Sequence, residues 1–477
     1  MTETFYLADT AISWFVVASW LATFTASAWF AWLFAWLRFL FVKPSVLVLL
    51  YSHVFLQWPA CIYAGTVEGF LPEPVALLVV LHGYVLLGLA GAGLTMRVSA
   101  RRVWEGVRRG QGVYAGELAL AATMVAGVCG VLVGMYLAVV PWRATGLYAI
   151  LVEGVGASEA RESSLKLLAK PAAKYAYSFA SAAAAPLLAA VAGMLVVTAA
   201  RARSWGSVAY AVALLGLAGT VVSLSGARIG LVNLVAVVAM VVLFRRGLTL
   251  RPTTLPLIVV AALAPAAILS FMREGGSVLD FPGRALEYLG YVWKRAFVTP
   301  FEMGLWFMQY EQTSGTMGWG GIPRLAQLFD VRPLDAANLI GLTYAPRVET
   351  GVLPTVGANA GYIFTTYAYG GVVLAPLTLL ALWALDSALL VYERLRESVL
   401  IPTIASVSVS ALMFLQSDYT IVWLTHGFGV LLILGLMTSA WLGLVGRFRW
   451  GGRVKPAELE EAPVDRAGGR VLGGSEG

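Results

Sequence analysis

Residues 118–140 read LALAATMVAGVCGVLVGMYLAVV, twenty-three residues without one charged side chain. As a helix this stretch is about 35 Å long at ~1.5 Å per residue, enough to cross a hydrocarbon core about 30 Å thick. A backbone in lipid must satisfy its own hydrogen bonds, so the run reads as a transmembrane helix. Working outward from it, eleven such runs appear, at 12–36, 45–65, 75–96, 117–140, 178–199, 207–225, 229–244, 254–271, 361–386, 399–416 and 420–444. The first begins too far in, and is too long, for a cleaved signal peptide. Composition agrees: 59% of the residues are hydrophobic, 12% are charged, and the mean hydropathy is +0.80. A soluble domain carries about 25% charged residues, so a water-soluble fold is excluded.

The net charge of +7 is spread in short clusters between the runs. That pattern fits anionic lipid headgroups and excludes a nucleic-acid binder. Cys61 and Cys129 both fall inside apolar runs and form neither a disulfide framework nor a metal pair. Sixteen tryptophans and nineteen tyrosines suit two interfacial belts. Alternate loops hold Arg38 and Lys43, the Arg97–Arg109 cluster, Arg201 and Arg203, Arg245 and Arg246, Arg394 and Arg396, while the loops at 66–74 and 417–419 hold no Lys or Arg. The positive-inside rule makes the first set cytoplasmic and puts the N-terminus outside.

The expected fold is therefore all-α, a polytopic bundle of about eleven spans. Residues 1–271 carry spans one to eight, with an external amphipathic segment at 141–177. Residues 272–360 form a long external helical loop, 361–446 carry the last three spans, and 447–477 form a disordered cytosolic tail. A connection as long as 272–360 is usually functional. No internal repeat of the transporter kind is present.

Thirteen basic residues fall on the external side, against the sorting rule. An anionic substrate at the outer face offsets that tendency, and the planar fork of Arg suits phosphate. The competing reading pairs each cation with a loop acid such as Glu274, Glu287 or Asp330. Arg228, in Ser225-Gly226-Ala227-Arg228 between two runs, is the sharpest single residue, because an Arg at the membrane surface needs a cavity or a partner. Snorkelling to headgroups is its alternative. His53 and His82 lie within spans and are read as bonded to neighbouring helices. His426 stands eight residues after Asp418, two helical steps of four, and reads either as a packed histidine or as an outer-face base.

The chain has no Walker loop, no His-Glu-x-x-His zinc motif and no Asp-x-Asp pair. No metal and no cofactor are expected, and protein cations take over the charge of a metal. Apart from Arg228 the spans carry almost no buried charge, which weighs against a transporter or flippase of anionic lipid-linked sugars.

In the long loop, Lys294-Arg295-Ala296-Phe297-Val298-Thr299-Pro300 is followed by Trp306-Phe307, Tyr310, Gly315, Trp319-Gly320-Gly321 and Ile322-Pro323-Arg324. Then come Pro354-Thr355, Asn359, Gly361, Tyr367 and Gly370-Gly371. This order resembles the O-antigen polymerases, the Wzy-type oligosaccharide repeat-unit polymerases, over about residues 220–375. Ser225-Gly226-Ala227-Arg228 is similar to the Gly-Ser-Arg-Gly-like turn upstream in that family, with alanine where a serine is usual. The resemblance implies a fold of the lipid-linked glycosyltransferase type, GT-C-like, in the cell membrane. It implies transfer of a growing glycan from its undecaprenyl or dolichyl pyrophosphate onto a new lipid-linked repeat unit. The implied partners are lipid-linked oligosaccharide donor and acceptor, membrane lipid, a flippase and a chain-length regulator. A glycan ligase of the same superfamily is the alternative.

The physics of that reaction needs fixed cations at the pyrophosphate leaving group and a modest base at the acceptor hydroxyl. Candidate pyrophosphate ligands are Arg228, Arg295 and Arg324, followed by Arg273, Arg284, Arg347 and Lys294. Candidate bases are His426, Glu302, Glu349 and Asp418.

Overall fold

The computed structural model describes residues 2–64, 72–152, 171–225, 229–249, 281–294, 298–321, 336–344, 360–415, 419–424 and 427–450, with 267, 271, 334 and 417 as isolated positions. Every secondary-structure element among them is helical. In chain order the helices are α1 (Thr2–Trp36), α2 (Pro44–Ser52), α3 (Trp58–Ala64), α4 (Pro72–Leu94), α5 (Arg97–Arg109), α6 (Ala115–Leu137), α7 (Gly146–Leu151), α8 (Pro171–Phe179), α9 (Ala185–Arg201) and α10 (Trp205–Ser223). They continue with α11 (Ile229–Arg245), α12 (Phe281–Trp293), α13 (Thr299–Ser314), α14 (Ala336–Tyr344), α15 (Tyr362–Ala384), α16 (Ala388–Tyr392), α17 (Glu397–Ser410), α18 (Tyr419–Leu424) and α19 (Phe428–Trp450). Short π-helical turns, His53–Gln57 and Ala180–Ala184, join α2 to α3 and α8 to α9.

Among the described residues eight helical stretches are long and apolar enough to cross a membrane, and the chain is a multi-pass membrane protein. Two further apolar helices, Gly230–Arg245 and Pro376–Tyr392, are shorter. Of the expected span 254–271 only Ala267 and Phe271 are described.

The two innermost helices are α9 and α17. From Ala185 to Leu195 every residue of α9 is buried, and so is every residue of α17 from Ser398 to Ser410. Lipid offers no hydrophobic drive between helices, so close backbone approach has to supply the contact. The alanine-rich face of α9 permits it, and Gly193 lies against Val238 of α11. In α17 the hydroxyls of Thr403, Ser406 and Ser408 donate back to the carbonyls four residues earlier at 2.8, 2.9 and 2.6 Å, so polar side chains are satisfied inside an apolar core.

The contacts gather the basic clusters at one end of the bundle. Arg97 and Arg101 of α5 lie over the Phe39 ring, and Arg109 pairs with Glu397 at 3.1 Å. Arg396 meets Glu117, and Arg245 donates to Thr198. At this basic end Lys43 and Asp386 form an ion pair at 3.0 Å with both side chains fully buried. Lys43 also donates to the carbonyls of Ala92 and Thr95, the orphan acceptors at the C-terminus of α4. Asp386 accepts from the Ser45 backbone N–H and hydroxyl at 3.1 and 2.8 Å, in the first turn of α2. The pair thus caps two helix ends of opposite dipole. Asp386 lies within the expected span 361–386, so the expectation that Arg228 is nearly alone as a charge in the spans is corrected. Its partner is a fixed lysine at a bundle end, which makes it a clamp.

Other expectations shift with the packing. Part of the segment 141–177, from Pro171 onward, is helix that runs on through the π-turn into α9, so Lys174 stands on a spanning helix. Helix α15 is broken at Gly370 and Gly371, the latter at φ +59°. The last candidate span runs Ile421–Val445, in line with the expected 420–444, and contains Gly427 at φ +85°. Within 272–360, α13 is built into the bundle: Phe301, Phe307 and Met308 are buried, and the helix packs on α4, α15 and the π-turn His53–Gln57.

Candidate functional site

Opposite the basic end, three segments distant in sequence are anchored together. Helix α10 ends at Ser223, and the chain turns through Leu224 and Ser225 toward Arg228. The Leu224 carbonyl accepts from the Leu147 N–H at 3.1 Å, and the Ser225 N–H donates to the Tyr177 hydroxyl at 3.2 Å. Tyr177 belongs to α8 and packs on Tyr136 of α6 at 4.7 Å between ring centroids. Five residues further along the same helix, Ala182 receives Gly427, the residue after His426. Gly427 adopts φ +85°, and any Cβ there would collide with the Ala182 carbonyl, so only glycine fits this approach. Ser225 and Gly427 are thus anchored five residues apart along one helical stretch, at Tyr177 and Ala182.

A ring cluster ties in the rest. Phe428 packs on Phe414 at 5.7 Å, Phe414 on Tyr362 at 5.6 Å, and Tyr419 on Tyr362 at 6.1 Å. The Tyr362 hydroxyl is hydrogen-bonded to that of Tyr84. Against Phe364 of α15 lies Gly304 of α13, so close that a Cβ would come within 2.8 Å of the ring. Further along α13, Glu311 accepts from the Tyr367 hydroxyl. Leu415 and Tyr419 therefore sit beside the N-terminal turn of α15.

Most expected site residues lie outside the described residues: Arg228, Arg273, Arg295, Arg324, Arg347, Glu349, Asp418 and His426. Three are described. Arg284 is exposed, makes a bidentate pair with Glu287 at 3.0 and 2.9 Å, and stacks over Tyr288 at 5.4 Å, as the competing reading for a loop arginine anticipates. Lys294 is exposed at the end of α12. Glu302 is half-buried in the first turn of α13, and no ion pair joins it to a described cation. Among the described residues no group of three His, Cys, Asp or Glu is placed to hold a metal ion.

As expected, His53 and His82 are hydrogen-bonded between helices, and they belong to one longer constellation. Ser27 of α1 stands 2.9 Å from His53 Nε2, His53 Nδ1 stands 2.7 Å from Gln57 Oε1, and Gln57 Nε2 stands 2.6 Å from His82 Nδ1. Trp58 donates its indole N–H to His53 Nε2 at 3.1 Å. His53 and Gln57, four apart in an apolar run, were the available signal, but their meeting with His82 depends on how α4 packs. No family model, no curated protein and no solved structure matches this chain.

Proposed function

We propose that this chain is a membrane glycosyltransferase that polymerises polyprenyl-pyrophosphate-linked oligosaccharides at the outer face of the cell membrane, without a metal. Arginines stabilise the pyrophosphate leaving group, with Arg228, Arg295 and Arg324 foremost. The observation that carries this reading is the shared anchoring of Ser225 and Gly427 on residues 177–182. Ser225, near a candidate phosphate-binding arginine, and Gly427, next to a candidate base, share one helical stretch as their anchor, which supports the reading. Purified protein incubated with a lipid-pyrophosphate oligosaccharide should yield a ladder of products on a gel. A single added step points to the ligase, and no transfer removes the glycosyltransferase reading.

The topology has its own support. Helix α11 ends at Arg245 and α15 ends just before Asp386, both at the basic end. With the basic end cytoplasmic, the exposed Ser314 faces outward and the exposed Glu393 inward. Cysteines placed there, with Cys61 and Cys129 replaced, should react with an impermeant thiol reagent in intact cells at 314 and not at 393. The reverse labelling would invert the orientation and remove the outer-face assignment.

The bidentate argument is tested by conservative exchange. Arg228→Lys and Arg295→Lys keep the charge and lose the fork, and turnover should fall about tenfold or more in each. Native turnover in both variants would show that point charge alone suffices.

A further inference from the structure

The Trp58 indole sets the direction of the hydrogen-bond chain through His53 and His82, with the Ser27 hydroxyl turned to the same Nε2 rather than to the Thr23 carbonyl it also reaches. An indole N–H only donates, so His53 Nε2, which receives it from Trp58, carries a lone pair. A neutral imidazole with a free Nε2 is protonated at Nδ1, and His53 therefore donates to Gln57 Oε1. The amide nitrogen of Gln57 then faces His82 Nδ1, which accepts. His82 is thereby fixed as the Nε2–H tautomer. That Nε2 is buried and has no hydrogen-bond partner, on a residue only 9% exposed. Trp58 is the fixed start of this chain, and an unmet donor is its end.

The arrangement is rigid. His53 sits against the rings of Phe30 and Trp58, and Trp58 against Trp20 and Phe24. The π-turn His53–Gln57 is a local departure from α-helix of the kind found at functional sites. Gln57 cannot hand a proton onward, because its amide N–H is far too weak an acid to give up its hydrogen. Trp58, His53 and Gln57 are accordingly positioning residues and form no proton wire. His82 stands twelve residues before the end of α4, about 18 Å above the basic end at ~1.5 Å per residue. Helix α13, from the long segment of the proposed polymerase, packs on both the π-turn and α4.

We infer that His82 Nε2–H is a ligand-binding donor, held in that tautomer by Trp58, His53 and Gln57, and that it receives an uncharged oxygen of the ligand's saccharide. A neutral imidazole offers one N–H and no charge, which suits a hydroxyl, ether or carbonyl oxygen and leaves the pyrophosphate to the arginines. The saccharide as ligand rests on the proposed function; the locked tautomer does not.

The chain has three histidines, so a ring-15N-histidine spectrum of the full protein in nanodiscs contains three spin systems, assignable by single substitutions. His53 should be protonated at Nδ1 and His82 at Nε2. The probes are farnesyl pyrophosphate carrying a disaccharide and farnesyl pyrophosphate alone. The first should shift the His82 Nε2–H signal and the second should not. His82→Phe should weaken the sugar-bearing probe about tenfold and leave the bare probe unchanged. Should that variant fail to fold, Trp58→Phe serves: it frees the His53 tautomer and should weaken the same probe alone. A His82 protonated at Nδ1, or native affinity for the sugar-bearing probe in the folded variant, overturns the inference. Binding of neither probe overturns the saccharide and the proposed function together, and the tautomer spectrum still decides the locked chain.

Discussion

Asp386→Asn is expected to lower the stability of the folded bundle by about 3–5 kcal/mol, the cost of breaking a buried ion pair from one side. The asparagine still offers an oxygen to the Ser45 N–H, so the loss falls on Lys43. Its ammonium would remain at 0% exposure with only the α4 carbonyls and the Thr95 hydroxyl for company. Lys43→Met should cost a similar amount for the mirror reason, since it strands the carboxylate. The double variant Lys43→Met with Asp386→Leu removes both charges and should recover most of that loss, because two apolar side chains owe no desolvation. Recovery should be incomplete. Ala92 and Thr95 lose a donor at the end of α4, and Ser45 loses an acceptor at the start of α2. Unfolding by SDS titration in mixed micelles reads all three variants. An Asp386→Asn protein within about 1 kcal/mol of the native one would mean that water reaches the pair and that the clamp is a surface ion pair in effect.

That clamp also marks where sequence reading stops. The apolar runs are legible because lipid imposes both a length and a composition on any crossing segment. The stretch 118–140 needed no neighbour to be read, and α6 covers most of it. The basic clusters were legible for a related reason: each sits at the end of a run, and alternation alone assigns them to one end. Ser45 and Asp386 are 341 residues apart, and nothing local to either announces the other. Asp386 looked like the polar edge of a span because a single acid near a run's end usually is one.

Breaks inside runs were equally hidden. Gly370-Gly371 reads as part of an apolar helix until α15 has to bend beside Glu311. The separation of α18 from α19 depends on Gly427 meeting Ala182, a contact between sequence-distant segments. Helix α13 reads only as part of a long external helical loop, because Glu302, Glu311 and its polar end mask the buried face of Phe301, Phe307 and Met308. Hydrogen-bond chains are the extreme case: Ser27, His53 and His82 come from three helices, and each alone is an ordinary polar residue in a span.

On the proposed reaction, at least one of Glu302, Glu349, Asp418 and His426 changed to Ala should slow polymerisation a hundredfold or more, within the roughly 10²–10⁴-fold range of a general base. Each variant should still fold and bind the lipid-linked donor, which separates loss of a base from loss of the site. Glu302 and His426 rank level. Glu302 is half-buried in the first turn of a helix packed into the bundle. His426 precedes Gly427, which lies against Ala182 so closely that only glycine fits there. A neutral imidazole there could take the acceptor's hydroxyl proton near pH 7. The two are separable by pH. A carboxylate base loses activity only as pH falls toward the usual carboxylate range, whereas a histidine base loses it as pH falls through about 6.5. The native pH–rate profile should therefore point to one of them before any substitution is made. Departure of a pyrophosphate needs little help at the acceptor. If all four Ala variants polymerise at the native rate, the reaction runs without a side-chain base among these four and its barrier is lowered by the arginines alone.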